Sequence, residues 1–414
     1  MSIQQQIFNK TFNPGSEGTT HLNACVGNNG FVDKRSYGTG FAEAVDILTT
    51  AIQHSEKRAS LDTLIYPICF CARHHVELFL KAQIEVIEAM RSTPPTKLSS
   101  IHNLDGLWKI FFTVALATDR RFVAPVEQML EFVRDIAQID PTGQTFRYPE
   151  DTESVKHLTQ TPVINIPVLR SRFMALAGMI TDFEFLSDTI RYEYIYGVFT
   201  KRLSRSDLEY IAKNLPPHDE WGGSQAFNDA KARLTTHFGI SGGEFSRALC
   251  AIKTHAEFCS HIGLCTPIEG LSKSLIDNLN LVFNGQLSMA KMARHELVAI
   301  ESIYEIARPI YLSEEFENVR AAVDLDFELE YYSESTLSKW ARATNRLTNG
   351  LHKLGQSALA VHMEQHLDSG SLVARLDVEN NEFCKKYPGL TVSSGTAVGD
   401  LKKSGASESE PFDQ

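Results

Sequence analysis

Apolar residues recur at three- and four-residue steps through Ile65, Ile68, Cys69, Ala72, Val76, Phe79, Leu80, Ile84 and Ile87. That is the helical period, so the stretch from Leu64 to Met90 is expected to be one long buried helix with Asp62 as its N-cap and Pro67 in its first turns. Arg73, Glu77 and Lys81 are spaced four apart, which predicts a charged ladder along a solvated face. Arg73, His74 and His75 are consecutive and point in three directions on a helix, so at most two of them serve one site. Ser92-Thr93-Pro94-Pro95 breaks the pattern, and Asn103 caps a second apolar helix expected from Leu104 to Ala117. His102, just before that cap, is placed to bond to the long helix or to loop backbone.

The same periodicity predicts helices at Phe41–Ile52, where Ala42, Val45, Leu48 and Ile52 face the long helix, at Val126–Ile136, and from Val168 to about Tyr196. The residues before 39 are rich in Gly, Asn, Ser and Thr and read as an extended arm, which Cys25, Val26, Phe31 and Val32 would pin to the body. Asp140-Pro141-Thr142-Gly143 ends a helix, and the stretch from Gln144 to Pro162 is a long loop carrying Arg147 and Tyr148. Two readings of that pair are open. Arg147 meets a helix carboxylate while Tyr148 plugs the bundle, or Arg147 shares a cleft with Arg73 and the two bind an anion.

Arg73-His-His-Val-Glu-Leu-Phe-Leu-Lys81, followed by His102-Asn-Leu-x-x-Leu-Trp108, resembles the HEPN superfamily of prokaryotic helical bundles, and Phe146 to Asp151 followed by Ile164-Asn165-Ile166 is similar to it as well. The resemblance covers residues 39–195. It implies a helical bundle that pairs as a homodimer, with RNA as partner and metal-independent ribonuclease activity in prokaryotic stress response or phage defence. In that chemistry a histidine moves the proton of the 2′-hydroxyl or of the leaving group, and an arginine stabilises the charged transition state. The candidate catalytic residues are Arg73, His75, His102 and Arg147. The family's Arg-x(4–6)-His spacing occurs at Arg346 and His352, outside the resembling region, and these form the alternative pair.

Beyond Leu203 a second helical domain is expected, from about 196 to 390, with a disordered tail from 391 to 414. Ser206 to Glu209 and Ser241 to Glu244 have capping-box form. Residues 232–249 have helix–turn–helix form, but Arg247 and Lys253 are the only basic groups on the second helix, which makes DNA an improbable ligand. A helix is expected over 289–308 and another from Leu337 to Leu359, with Gly350 and Gly355 allowing close approach or a kink. Between them, Asp324, Asp326, Glu328 and Glu330 alternate with Val323, Leu325, Phe327, Leu329 and Tyr331. This period of two predicts a short acidic edge strand, with Arg342 and Arg346 near enough to neutralise it. The fold class is therefore mainly α: a HEPN-like bundle followed by a second helical domain with a short β element.

Composition narrows the function. Hydrophobic residues make up 43% and charged residues 22% of 414, as in ordinary globular proteins of two or three domains. No apolar run reaches membrane-spanning length and no secretory signal is visible, so a cytoplasmic protein is expected. A net charge of −11 disfavours broad nucleic-acid binding. The seven cysteines show no Cys-x-x-Cys. His255, Cys259, His261 and Cys265 lack zinc-finger spacing, so neither metal nor cofactor is expected. A non-catalytic dimerisation or docking module is the competing account.

Overall fold

The structure is a computed structural model that describes residues 11–15, 17–30, 32–54, 60–326, 334–370, 372–374 and 377. Fifteen α-helices follow one another through the described residues: α1 (Lys34–His54), α2 (Leu61–Met90), α3 (Leu104–Thr118), α4 (Val123–Ile139), α5 (Ile166–Tyr196), α6 (Arg205–Lys213), α7 (Gln225–Phe238), α8 (Gly242–Thr254), α9 (Ala256–His261), α10 (Lys273–Phe283), α11 (Arg294–Ile306), α12 (Phe316–Leu325), α13 (Glu334–Arg342), α14 (Thr344–Lys353) and α15 (Ser357–His366). The one pairing of β type among them is an isolated antiparallel bridge between Glu150 and Lys156. The chain divides into two compact units, Met1–Arg191 and Tyr192–Gln414. No helix among the described residues is long and apolar enough to cross a membrane.

The first unit is built on α2. Its apolar stripe meets α1 through Val45, Ile52, Ile68 and Ala72, with Ala42, Leu48 and Ile65 at the edge of the cluster. Further along the same helix Phe79, with Phe111 and Phe183, forms a trio of rings packed edge-on to one another, with centroids 5.2 to 5.8 Å apart. That geometry sets each ring's positive edge against a neighbour's negative face. Asn103 caps α3 as its sequence predicts, its side chain accepting from the Gly106 amide at 2.8 Å. α1 begins earlier than expected, at Lys34, because Asp33 caps it by accepting from the Ser36 amide at 2.8 Å. Cys25, Val26 and Val32 are exposed and pin nothing, and Phe31 lies outside the described residues. Ser60, rather than Asp62, precedes the first turn of α2.

The second unit holds two clusters of buried apolar side chains, one over α6 to α9 and one over α10 to α15. Ser204, not Ser206, opens α6, in a reciprocal capping box with Asp207. Ser241 caps α8 as predicted, but the Glu244 carboxylate turns away to Thr200, Arg202 and Arg247. The helix expected over 289–308 begins only at Arg294, with a three-ten turn before it. The helix expected over 337–359 is broken at Ala343 and again at Gly355. Gly355 has φ of +69°, and a Cβ there would lie 1.9 Å from the Ala256 carbonyl oxygen, so only glycine passes. At Gly350 a Cβ would lie 2.1 Å from the Ile303 carbonyl oxygen, the close approach its sequence position suggested.

The acidic alternation does not start a strand at Asp324. α12 runs on through Leu325, burying Phe316 and Val319 and partly Val323 at helical spacing, while Leu325 is 85% exposed. A strand would have turned Val323 and Leu325 to the same side. Asp324 is neutralised by Arg294 at 2.9 Å. Arg342 and Arg346 are engaged elsewhere, with Asp377 and with Tyr304. Residues 327–333 lie outside the described residues.

Candidate functional site

The ladder on α2 is buried rather than solvated: Arg73, Glu77 and Lys81 are all inside the first unit, with Arg73 1% exposed. Burying three charges is costly unless they satisfy one another. They do so on Glu77. One oxygen of its carboxylate accepts from Arg73; the other accepts from Lys81 at 2.8 Å and from His102 Nδ1 at 3.0 Å. Burial pushes the Glu77 carboxyl up, but the hydrogen bonds from Lys81, Arg73 and His102 and the Arg73 charge outweigh it and bring it down to about 2.

The remaining Arg73 donors go to backbone. Nε reaches the Asp140 carbonyl at 3.3 Å, and Nη2 reaches the carbonyls of Pro141, at 3.2 Å, and His102. One guanidinium thus ties together the entrance to α3 and the exit from α4. The exit turn is shaped to receive it: Asp140 Oδ1 accepts from the amides of Gly143 and Thr145, and a Cβ at Gly143 would lie 3.1 Å from Arg73 Cζ.

His102 is held differently. Its side chain is 58% exposed, and an ionised carboxylate can only accept, so Nδ1 carries the proton in its bond to Glu77. Nε2 is left outward as a free base when the ring is neutral. A second imidazole approaches the same carboxylate, with His74 Nδ1 3.9 Å from the other Glu77 oxygen. His74 is stacked on Phe70 with ring centroids 5.5 Å apart, and its edge meets Phe41. Burial lowers the His74 pKa, and the cations Arg73, Lys81 and Arg147 lower it further against the pull of Glu77.

Arg147 lies on the exposed loop between α4 and α5, 5.9 Å from the Phe70 ring centroid and 5.3 Å from that of Tyr148. Its Nη2 donates to the Tyr148 hydroxyl at 3.3 Å, and it forms no ion pair among the described residues. Tyr148 is itself half-exposed and plugs nothing. Neither expected arrangement of the pair is therefore present: Arg147 meets no helix carboxylate, and Arg73, spent on internal acceptors, shares no open cleft with it.

His75 points inward. Its Nδ1 bonds to the Gly38 carbonyl at 2.9 Å, its Nε2 is buried without a partner, and burial lowers its pKa. Arg346 and His352 are directed to different partners. Arg346 donates to the Tyr304 carbonyl at 2.9 Å and lies over that residue's ring, while half-exposed His352 faces Glu364 at 4.0 Å. Of the six candidates, the structure gathers Arg73 and His102 on Glu77 and leaves His102, Arg147 and His352 reachable from outside. Glu77 is the member that sequence reasoning did not single out as a site residue; the i, i+4 spacing of Arg73, Glu77 and Lys81 was the available signal.

Elsewhere, Cys259 is buried against the Ala256 carbonyl, and Cys265 meets the Gln356 side chain. Among the described residues no group of three or more His, Cys, Asp or Glu is arranged to hold a metal ion. Helices α7 and α8 join through Gly239 at φ +60°, in the turn the sequence suggested, but Arg247 is ion-paired with Glu244 at 2.5 Å. No family model matches the chain, and neither a curated protein nor a solved structure matches it.

Proposed function

We propose that the first unit is a HEPN-like bundle that acts on RNA without a metal ion, at the exposed face beside Glu77. The observation that carries this reading is His102, oriented by a carboxylate at Nδ1 and open at Nε2, with His74 on the same carboxylate and an uncompensated Arg147 alongside. A base held in one tautomer with its other nitrogen free is what proton transfer requires. His102 Nε2 takes the 2′-hydroxyl proton, the oxygen attacks the adjacent phosphorus, and the 5′-oxygen leaves with a proton taken from water. The products are a 2′,3′-cyclic phosphate and a 5′-hydroxyl. Arg147 neutralises charge on the phosphoryl oxygens, and half-exposed Tyr148 offers a ring on which a base stacks. Arg73 and Lys81 act as positioning residues, fixing Glu77. The role is that of an RNA-directed effector in prokaryotic stress or phage defence, acting as a homodimer in the cytoplasm.

The test is cleavage of total cellular RNA and tRNA by purified protein in EDTA. Cutting that His102→Ala abolishes and Arg147→Ala weakens supports the reading; cutting unchanged in His102→Ala refutes it. A second reading, a non-catalytic docking module, is favoured by one observation: the Arg73 network already has a complete structural task, clamping α2 to the loops beside α3 and α4. Stable dimers with neither RNA turnover nor RNA binding favour that reading.

A further inference from the structure

A cavity of about 250 Å³ lies in the first unit between α2, α4, α5 and the loop that follows α4. Its wall is mostly carbon, with Phe132, Ile136, Phe146, Leu169, Phe173 and Leu176 among the lining side chains. Water is poorly held in such a space, since an ordered molecule needs two to four polar partners. A space of roughly 150 Å³ with a similar lining accepts benzene, so this one has room for a bicyclic ring or a medium alkyl chain. Thr161, Asn165, Asp135 and Arg172 are the polar side chains of the lining, and two of them are charged. Asp135 and Arg172 both line the cavity, and Arg172 is shared between Asp135 at 2.7 Å and Glu131 at 3.0 Å, its guanidinium lying 4.0 Å over the Phe132 ring. One cation thus faces two carboxylates, Asp135 on the lining and Glu131 beyond it, and the three side chains together carry net negative charge.

We propose that this cavity is a binding site for a small amphiphile with an apolar body and a cationic, hydrogen-bond-donating head. The body fills the carbon-lined space and removes its apolar surface from water. The head sits at the rim and donates to Asp135, whose carboxylate keeps acceptor positions beyond its bond to Arg172. A carboxylate head is disfavoured because it meets two like charges, while Arg172 is already shared between them.

Calorimetric titration of the full chain with octylamine, octanol and octanoate tests this. Octylamine is expected to saturate one site and to bind at least about tenfold tighter than octanoate, with octanol between. The double substitution Asp135→Asn with Glu131→Gln, at exposed positions, should bring the amine-to-acid ratio near one and leave octanol unchanged. Val168 lines the cavity yet is 61% exposed, so Val168→Trp can obstruct it from outside without disturbing the core, and should weaken all three ligands. Absence of saturable binding by any of them, octanoate binding as well as octylamine, or a preference untouched by the double substitution would overturn the proposal.

Discussion

Each unit of this protein buries an arginine against glutamate, one in the first unit and two in the second. In the first, Arg73 meets Glu77. In the second, Arg205 meets Glu257 and Glu314, with Nε 2.9 Å from a Glu314 oxygen. Each cluster also contains a histidine bonded to the central carboxylate, and there the likeness stops. His255 donates from Nε2 to Glu314 at 3.0 Å and accepts the Phe258 amide at Nδ1, at 3.2 Å, so both ring nitrogens are spent and the ring is buried. His102 uses one nitrogen and turns the other outward. Burial and charge pairing alone therefore do not distinguish a staple from a site. The useful difference is whether a correctly oriented group retains unused capacity on the solvent side.

Removing the cation from the sealed cluster should have the largest effect on stability. Arg205→Met leaves Glu257 and Glu314 without their shared partner and is expected to cost about 3–5 kcal/mol in urea denaturation; a loss below about 1 kcal/mol would show that the cluster is far wetter than its geometry implies. Glu77→Gln should cost less, about 2–3 kcal/mol, because Arg73 keeps three backbone carbonyls as acceptors. Its pH signature is specific. The folded pKa of Glu77 lies at about 2, below its ordinary 4.5, so its contribution is complete above 4.5 and is lost as pH falls toward 2. Denaturation across that acid range should be flatter for Glu77→Gln than for the parent chain.

The two histidines give the sharper contrast. His255→Ala removes the cap of α9 and a buried partner of Glu314, for about 2 kcal/mol. His102→Ala removes a half-exposed side chain, for about 0.5 kcal/mol. Equal losses would erase the distinction between staple and site. The smallest effect belongs to His75, whose pKa burial lowers, so the unfolded chain binds its proton more readily. Stability should be complete above the ordinary value of 6.5 and decline as pH falls below it. His75→Gln should remove that slope in thermal melts.

Much of this architecture was legible because it is local. The Asn103 cap, the stripe on α2, and the two glycines at 350 and 355 follow from period and backbone allowance. The burial of Arg73 was not legible, because its acceptors at Asp140 and Pro141 lie 67 and 68 residues away and a helix pattern does not record which loops fold over it. The alternation after Val323 misled for a related reason: Phe316, Val319 and Val323 fit a helical period equally well, and packing on the core decided between them. His102 was placed next to its cap correctly and given two possible bonds, of which the structure contains the one to the long helix.

The most direct test of the central claim is an NMR titration of the histidine ring resonances with a short single-stranded RNA, assigned through His74→Gln, His102→Gln and His255→Gln. The account predicts that the His102 and His74 signals shift in a saturable way while that of His255 stays fixed. RNA that moves none of them, or moves His255 alone, would contradict it.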